Sequence, residues 1–271
     1  MQKHFTYKET DILYNDIGQG NAVVLLHGFG EDGSIWHNQA DVLAKEYRVI
    51  VPDLPGSGKS GLLNYENVGI EDYAACVKEL LVNEKIEKCI LLGHSMGGYI
   101  TLAFAEKYTD MLCAFGLIHS TAFADNEEKK EARRKSIAFL SENDPYSFLK
   151  TSIPNLFSEK TKKEKAEVVA ALIQKGRGFS REALIQYYRA MMNRQDKTDV
   201  LSSTRLPVLF VMGTEDKAAP MEDVLKQVHL PAISFIHILT DVGHMGMLEN
   251  SVFLNKYLLS FCRFVNTSKV L

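Results

Sequence analysis

With 271 residues, 46% of them hydrophobic, the chain is long enough for one large α/β domain or for a domain carrying an inserted subdomain. A formal net charge of −3 argues against a nucleic-acid binder. No run reaches the roughly 18 apolar residues of a membrane span, and the opening Met1-Gln2-Lys3-His4-Phe5 lacks the apolar stretch of a signal peptide, so a cytoplasmic protein with no membrane attachment is expected.

The four cysteines, Cys76, Cys89, Cys113 and Cys262, are scattered and form no Cys-x-x-Cys pair, which reads as reduced core residues. The eight histidines show no zinc-site spacing, so neither a metal nor a cofactor is expected. Charge is unevenly spread. Between Ala122 and Val200 there are 16 Lys and Arg against 12 Asp and Glu, a net of +4 that leaves −7 for the rest. Solvated helix faces explain this, as would a basic subdomain turned toward an anionic substrate.

In chain order, Phe5-Thr6-Tyr7 and Ile12-Leu13-Tyr14 are β-rich runs that predict an antiparallel hairpin at a sheet edge. Ala22-Val23-Val24-Leu25-Leu26 is an unbroken apolar run, the mark of a strand buried on both faces. It ends in His27-Gly28-Phe29-Gly30, a loop flexible enough to turn backbone N–H groups toward a ligand. A helix is predicted over about Ile35 to Glu46, then a buried strand, Arg48-Val49-Ile50-Val51. The following Asp53-Leu54-Pro55-Gly56-Ser57-Gly58-Lys59-Ser60 ends like a phosphate loop. The motif, however, needs Gly where Asp53 stands, and Pro55 removes a backbone donor, so nucleotide binding is rejected.

Residues 66–84 read as a helix, with Ile70, Tyr73, Ala74 and Val77 on one face. Next come the strand Cys89-Ile90-Leu91-Leu92, the turn Gly93-His94-Ser95-Met96-Gly97-Gly98 and a helix from Tyr99 to Lys107. The turn fits Gly-x-Ser-x-Gly, in which a serine sits on a strained strand-to-helix bend and small neighbours let strand and helix approach. Another buried strand, Leu112 to Ile118, ends at His119-Ser120. The strand-helix alternation implies a mostly parallel sheet covered on both faces.

For about 80 residues no strand pattern appears, and helical stretches take over, with Ala166, Val169, Ala170 and Ile173 on one face and Leu184, Tyr187, Tyr188 and Met191 on another. This predicts a helical cap at 122–200 inserted into a core made of 1–121 and 201–271. The sheet pattern resumes at Pro207 to Met212, followed by Gly213-Thr214-Glu215-Asp216; a helix near Met221 to Val228 leads to the strand Ile233 to Leu239, which ends at Asp241-Val242-Gly243-His244. A last helix presents Leu248, Val252, Phe253, Tyr257, Leu258 and Phe261 as an apolar stripe, and 266–271 is expected to fray.

In open parallel sheets, active groups collect beyond the carboxyl ends of the strands. The His27 loop, Ser95, Asp216 and His244 all fall there. A neutral hydroxyl is a poor nucleophile, so Ser95 needs a base, which His244 supplies, and Asp216 would hold the second imidazole nitrogen. Glu215 and Asp241 are the competing orienting carboxylates. His27 and His119, with Trp36 and Met245, are candidate substrate-binding residues; His27, His94 and His119 are equally candidates for shaping the loops.

The Gly-His-Ser-Met-Gly-Gly turn, with His27-Gly28-Phe29-Gly30 before it and Asp216 and Gly243-His244 after it, closely resembles the α/β-hydrolase superfamily in its cap-bearing, esterase-like branch, over essentially the whole chain. That resemblance implies the α/β-hydrolase fold: a mostly parallel twisted sheet with helices on both faces and an inserted helical cap. It also implies an oxyanion hole made of the amides of Phe29 and Met96, each worth roughly 3 kcal/mol to a developing oxyanion. Serine at the elbow argues against the epoxide hydrolases and haloalkane dehalogenases of similar fold, which attack with a carboxylate. The reading that follows is a serine hydrolase acting on a small-molecule carboxylic ester through an acyl-enzyme on Ser95. Thioesterase or acyltransferase chemistry, carbon–carbon bond hydrolysis on the same triad and a non-catalytic ligand-binding role are the alternatives. Many carbon–carbon hydrolases carry Asn where His94 stands, which weighs against that one. Neither the physiological substrate nor the oligomeric state is readable from the sequence.

Overall fold

The computed structural model of the chain describes residues 1–268. Eight strands, β1 (Gln2–Tyr7), β2 (Thr10–Ile17), β3 (Ala22–Leu26), β4 (Arg48–Pro52), β5 (Cys89–His94), β6 (Leu112–Ile118), β7 (Val208–Gly213) and β8 (Ser234–Leu239), form one sheet in the order β1-β2-β4-β3-β5-β6-β7-β8. The β1–β2 hairpin is antiparallel and lies at one edge, β2 pairs antiparallel with β4, and every pairing from β4 to β8 is parallel. The strands that read as continuous apolar runs, β3, β5, β6 and β7, are buried at every position, because helices cover both of their faces. The edge strand β8 instead leaves Ile236 and Ile238 more than 40% exposed.

The core helices are α1 (His37–Leu43), α2 (Ile70–Asn83) and α3 (Met96–Lys107). Between β6 and β7 the described chain is helical throughout: α4 (Glu127–Glu142), α5 (Pro145–Ser152), α6 (Glu159–Glu164), α7 (Ala166–Lys175), α8 (Arg181–Asn193) and α9 (Thr198–Ser203). Helix α9 straddles the boundary expected at 200. After β7 come α10 (Met221–Leu225), α11 (Gly246–Glu249) and α12 (Ser251–Thr267). Helix α2 packs on α3, and α1 packs on α12. Among the described residues no helix is long and apolar enough to cross a membrane.

Three local expectations change. The first core helix is shorter than its apolar pattern suggested, a 3₁₀ turn over Gly33–Trp36 running into α1. The C-terminal apolar stripe is set differently: α12 buries Leu254, Leu258, Phe261, Cys262 and Val265, while Val252 is 75% and Phe253 49% exposed. Leu248 belongs to α11, which Asn250 separates from α12 by capping the longer helix with its side chain. Helix α12 also continues to Thr267, into the tail expected to fray; residues 269–271 of that tail lie outside the described residues.

The strand order reverses at the β4-β3-β5 junction, so the loops after β3 and β5 diverge and open a crevice at their carboxyl ends. There the elbow glycines are sterically required. A Cβ on Gly93 would land on the Gly97 carbonyl, and one on Gly97 would strike the carbonyl of Leu26.

Candidate active site

Strand β5 stops and α3 starts with a single residue between them. That residue, Ser95, has φ 51° and ψ −115°, a left-handed conformation unfavourable for a side chain bearing a Cβ. The bend is held from below: the Ser95 N–H donates to Ile118 O at 3.0 Å, and its carbonyl accepts from Gly98 N at 2.9 Å and from the Ser120 hydroxyl at 2.7 Å. Ser95 is half-buried, whereas its neighbours His94 and Met96 are fully buried, so the bend presents this one side chain outward.

Asp216 follows β7 and is buried. Its carboxylate accepts from the amides of Ala218 and Ala219, both at 2.9 Å, from His119 Nδ1 at 3.0 Å, and from His244 Nδ1 at 2.9 and 3.0 Å. Burial alone would push this carboxyl up, but the His244 charge and the imidazole hydrogen bonds outweigh it and hold Asp216 well below the usual carboxylate range. The two histidines on Asp216 diverge. Burial pulls His119 below its ordinary value in spite of Asp216, whereas at His244 the attraction of Asp216 overcomes burial and the value is raised. Of the two rings, His244 is the one whose surroundings favour the protonated form. Consistent with a neutral His119, its buried Nε2 has no hydrogen-bond partner.

The competing carboxylates are engaged elsewhere. Glu215 accepts from the Glu159 amide at 3.1 Å, and the exposed Asp241 pairs with Lys160 at 3.3 Å. His94, one residue before Ser95, lies with its ring centroid 4.8 Å from that of His244, which brings the end of β5 and the loop after β8 together. A Cβ on Gly28 would sit 3.0 Å from both the Ser95 Cβ and His94 Nδ1, so the loop after β3 closes over the same point. Among the described residues the amides of Phe29 and Met96 meet no protein acceptor.

The four residues expected to bind substrate, His27, Trp36, His119 and Met245, are all fully buried. His27 shapes its loop. Its Nε2 accepts from the Leu54 amide at 2.9 Å, and its Nδ1 then donates to Gly28 O at 2.8 Å, so neither nitrogen is left for a ligand. Trp36 lies edge-on to His94, with centroids 6.4 Å apart, and Met245 starts the α11 turn; both pack rather than line a mouth. The loop that resembles a phosphate site is closed by its own Asp53, whose carboxylate takes the amides of Gly33 at 2.9 Å and Lys59 at 3.0 Å.

Sequence reasoning missed Glu249. This buried carboxylate accepts from Gly243 and Met245 N–H at 3.0 and 3.1 Å and from Ser158 N–H at 2.9 Å, bracing the His244 loop against the α5–α6 connection. His244 N–H itself donates to Leu156 O at 2.7 Å. Phe29 also touches the helices between β6 and β7, stacking on Tyr188 of α8 with ring centroids 4.3 Å apart. Glu249 follows His244 closely in an otherwise apolar Gly246-Met247-Leu248 turn, and that was the available signal.

His119, Asp216 and His244 also form the one grouping of metal-ligand type among the described residues, their atoms lying within 4.8 Å of one another. Both Nδ1 atoms are spent donating to Asp216, which leaves them no lone pair for a cation.

A strained serine after the central strand β5, a carboxylate after β7 and a histidine after β8 occur in the chain order of the α/β-hydrolase class. The chain belongs to the alpha/beta hydrolase fold family, whose model matches residues 21–251. It is 26% identical over 260 residues to the 2-hydroxy-6-oxo-6-phenylhexa-2,4-dienoate hydrolase of Comamonas testosteroni, covering 93% of this chain and 91% of the relative. It is 28% identical over 213 residues to the pimeloyl-[acyl-carrier protein] methyl ester esterase of Aeromonas hydrophila, covering 76% of this chain and 82% of that one. Among solved structures, a thermophilic esterase from Thermogutta terrifontis superimposes with a TM-score of 0.92 at 29% identity, over 98% of this chain and 100% of that one.

Proposed function

We propose that this chain is a serine hydrolase that cleaves a carboxylic ester of small to medium size through an acyl-enzyme on Ser95. The observation that carries the reading is the buried Asp216 carboxylate accepting from His244 Nδ1 at 2.9 Å, with the His244 ring 4.8 Å from that of His94, the residue just before a serine held at φ 51°. With Nδ1–H directed at Asp216, His244 Nε2 is the free base. It takes the Ser95 proton as Oγ attacks the ester carbonyl, and Asp216 stabilises the imidazolium that results. The amides of Phe29 and Met96 receive the negative charge on the attacked oxygen, where preorganised donors contribute most. His244 returns the proton to the leaving alcohol and then activates water to release the acid. The helices at 122–200 act as a cap that sets the size of the acyl and alcohol groups.

Carbon–carbon bond hydrolysis is the second reading, favoured by the names of the Comamonas relative and of a 2-hydroxy-6-oxo-2,4-heptadienoate hydrolase of Pseudomonas putida, 26% identical over 255 residues. The thermophilic esterase, at a higher identity and nearly complete coverage, supports the ester reading. The deciding experiment offers a chain-length series of p-nitrophenyl esters and a 2-hydroxy-6-oxodienoate to the same preparation, with Ser95→Ala as the blank. Turnover of short esters that drops by about 10⁴-fold or more in Ser95→Ala is expected. Faster turnover of the dienoate than of every ester would replace the ester reading with the second one, and retained ester hydrolysis in Ser95→Ala would remove Ser95 from the mechanism.

A further inference from the structure

One buried carboxylate–imidazole pair has no part in the chemistry above. Glu31 is only 3% exposed, and its Oε2 accepts from the Gly28 amide at 2.8 Å and meets His94 Nδ1 at 3.0 Å. The other nitrogen of His94, Nε2, lies 2.9 Å from the backbone carbonyl of His244. A carbonyl oxygen only accepts, so Nε2 carries a proton, and the one proton between Nδ1 and Glu31 Oε2 rests on the imidazole when the carboxyl is ionised.

We infer that Glu31 and His94 form a buried ion pair of positioning residues, which ties the oxyanion loop to the main chain of His244 and so sets the distance between the oxyanion donors and the base. The inference rests on the serine-hydrolase reading for its consequence, though not for its geometry. Gly28, the residue whose amide Glu31 holds, immediately precedes Phe29, and His94 immediately precedes Ser95. One ion pair thus touches the oxyanion loop, the nucleophile turn and the base loop, three segments far apart in sequence. Burial raises the Glu31 carboxyl, yet the His94 charge and hydrogen bond, with the Gly28 amide, bring it below its ordinary value, as an ionised partner requires. Trp36 lies edge-on to the His94 ring, and both members of the pair are buried, so the electrostatic interaction between them is strengthened. A pair with both charges satisfied in this way stays put; one left half-satisfied would let the loops drift, and drift of about 1 Å costs on the order of 10² in rate.

The test has two arms. In the first, the wild-type chain labelled with ¹⁵N-histidine is examined by NMR at neutral pH, and the His94 ring is identified by its contacts with the Trp36 indole. Both nitrogens are expected to be protonated, and Glu31→Gln should convert the ring to a single neutral tautomer. A neutral His94 in the wild type overturns the ion pair. In the second, Glu31→Gln, His94→Gln and the double variant are assayed on the best ester. Each single change should lower kcat by about 10-fold or more with KM within about threefold, and the double variant should be no worse than the poorer single one. Multiplicative losses, or unchanged kcat, overturn the positioning role. Because the NMR arm needs no substrate, absence of Ser95-dependent turnover would count against the proposed function alone and leave ring protonation to decide the pair.

Discussion

At the scale of single residues, the division of labour between the two histidines on Asp216 has a measurable consequence. Asp216 raises His244, so this base loses its proton only at a pH above the ordinary imidazole value of about 6.5. The proposed mechanism needs His244 neutral, so the acid limb of kcat/KM is expected to have an apparent pKa above about 6.5, with activity falling as pH drops through it. Asp216→Asn removes the raising charge, and the limb should move to lower pH while kcat falls by about 10⁴-fold, because an amide also permits the wrong tautomer. A pH–rate profile of both proteins checks this; an unmoved limb would mean that some group other than His244 is being titrated. The linked stability has the same sign: with its folded value raised, His244 favours the folded state below its unfolded pKa, and that contribution is lost as pH rises through the folded one.

At the scale of elements, the His244 loop is braced by a buried carboxylate whose partners are backbone amides. Glu249 accepts three backbone N–H groups, those of Gly243, Met245 and Ser158, so Glu249→Ala strands three buried donors at once. A loss of about 2 kcal/mol or more is expected, read as a lower urea midpoint, together with a fall in kcat as His244 loses its support. Full kcat in a destabilised variant would show that the loop holds its shape without the brace. Glu249 also illustrates where the sequence stopped being legible. Strands β3, β5, β6 and β7 were readable because each is an apolar run bounded by turn residues, and Ser95, Asp216 and His244 stood out as candidates because each lies within a few residues of a strand's carboxyl end. The contacts that brace them were not: Glu31 meets His94, His94 meets His244 and His119 meets Asp216 across 63, 150 and 97 residues of chain, and no local pattern reports such pairings. Helix α12 shows a different limit. Apolar residues occupy two of its faces, and periodicity alone could not decide that Leu254, Leu258 and Phe261 turn inward while Val252 and Phe253 face solvent.

At the scale of the whole molecule, α4 and the end of α8 are tied together by a buried cluster of charge, one member of which reaches the sheet-bearing core. Asp125, just after β6, takes Arg133 of α4 at 2.6 Å and Arg194, just after α8, at 2.9 Å, and the Arg194 guanidinium lies 3.8 Å over the Tyr99 ring of α3. Burial raises the Asp125 carboxyl, but the two guanidinium groups outweigh it and hold it below its ordinary value. Asp125→Asn leaves both guanidinium groups without their counter-charge, Arg194 almost wholly buried, and should cost about 3 kcal/mol at neutral pH. The pH dependence separates loss of charge from loss of shape. A carboxyl depressed in the folded state contributes stability above its unfolded pKa of about 3.9, and that contribution disappears as pH falls through the folded value. The wild-type chain should therefore lose this contribution below about pH 4, while the Asn variant has none to lose, and the gap between their urea midpoints should narrow on acidification. A gap that stays constant from neutral pH to about pH 3 would mean that Asp125 joins α4 to the end of α8 through its shape and hydrogen bonds, with its charge contributing nothing.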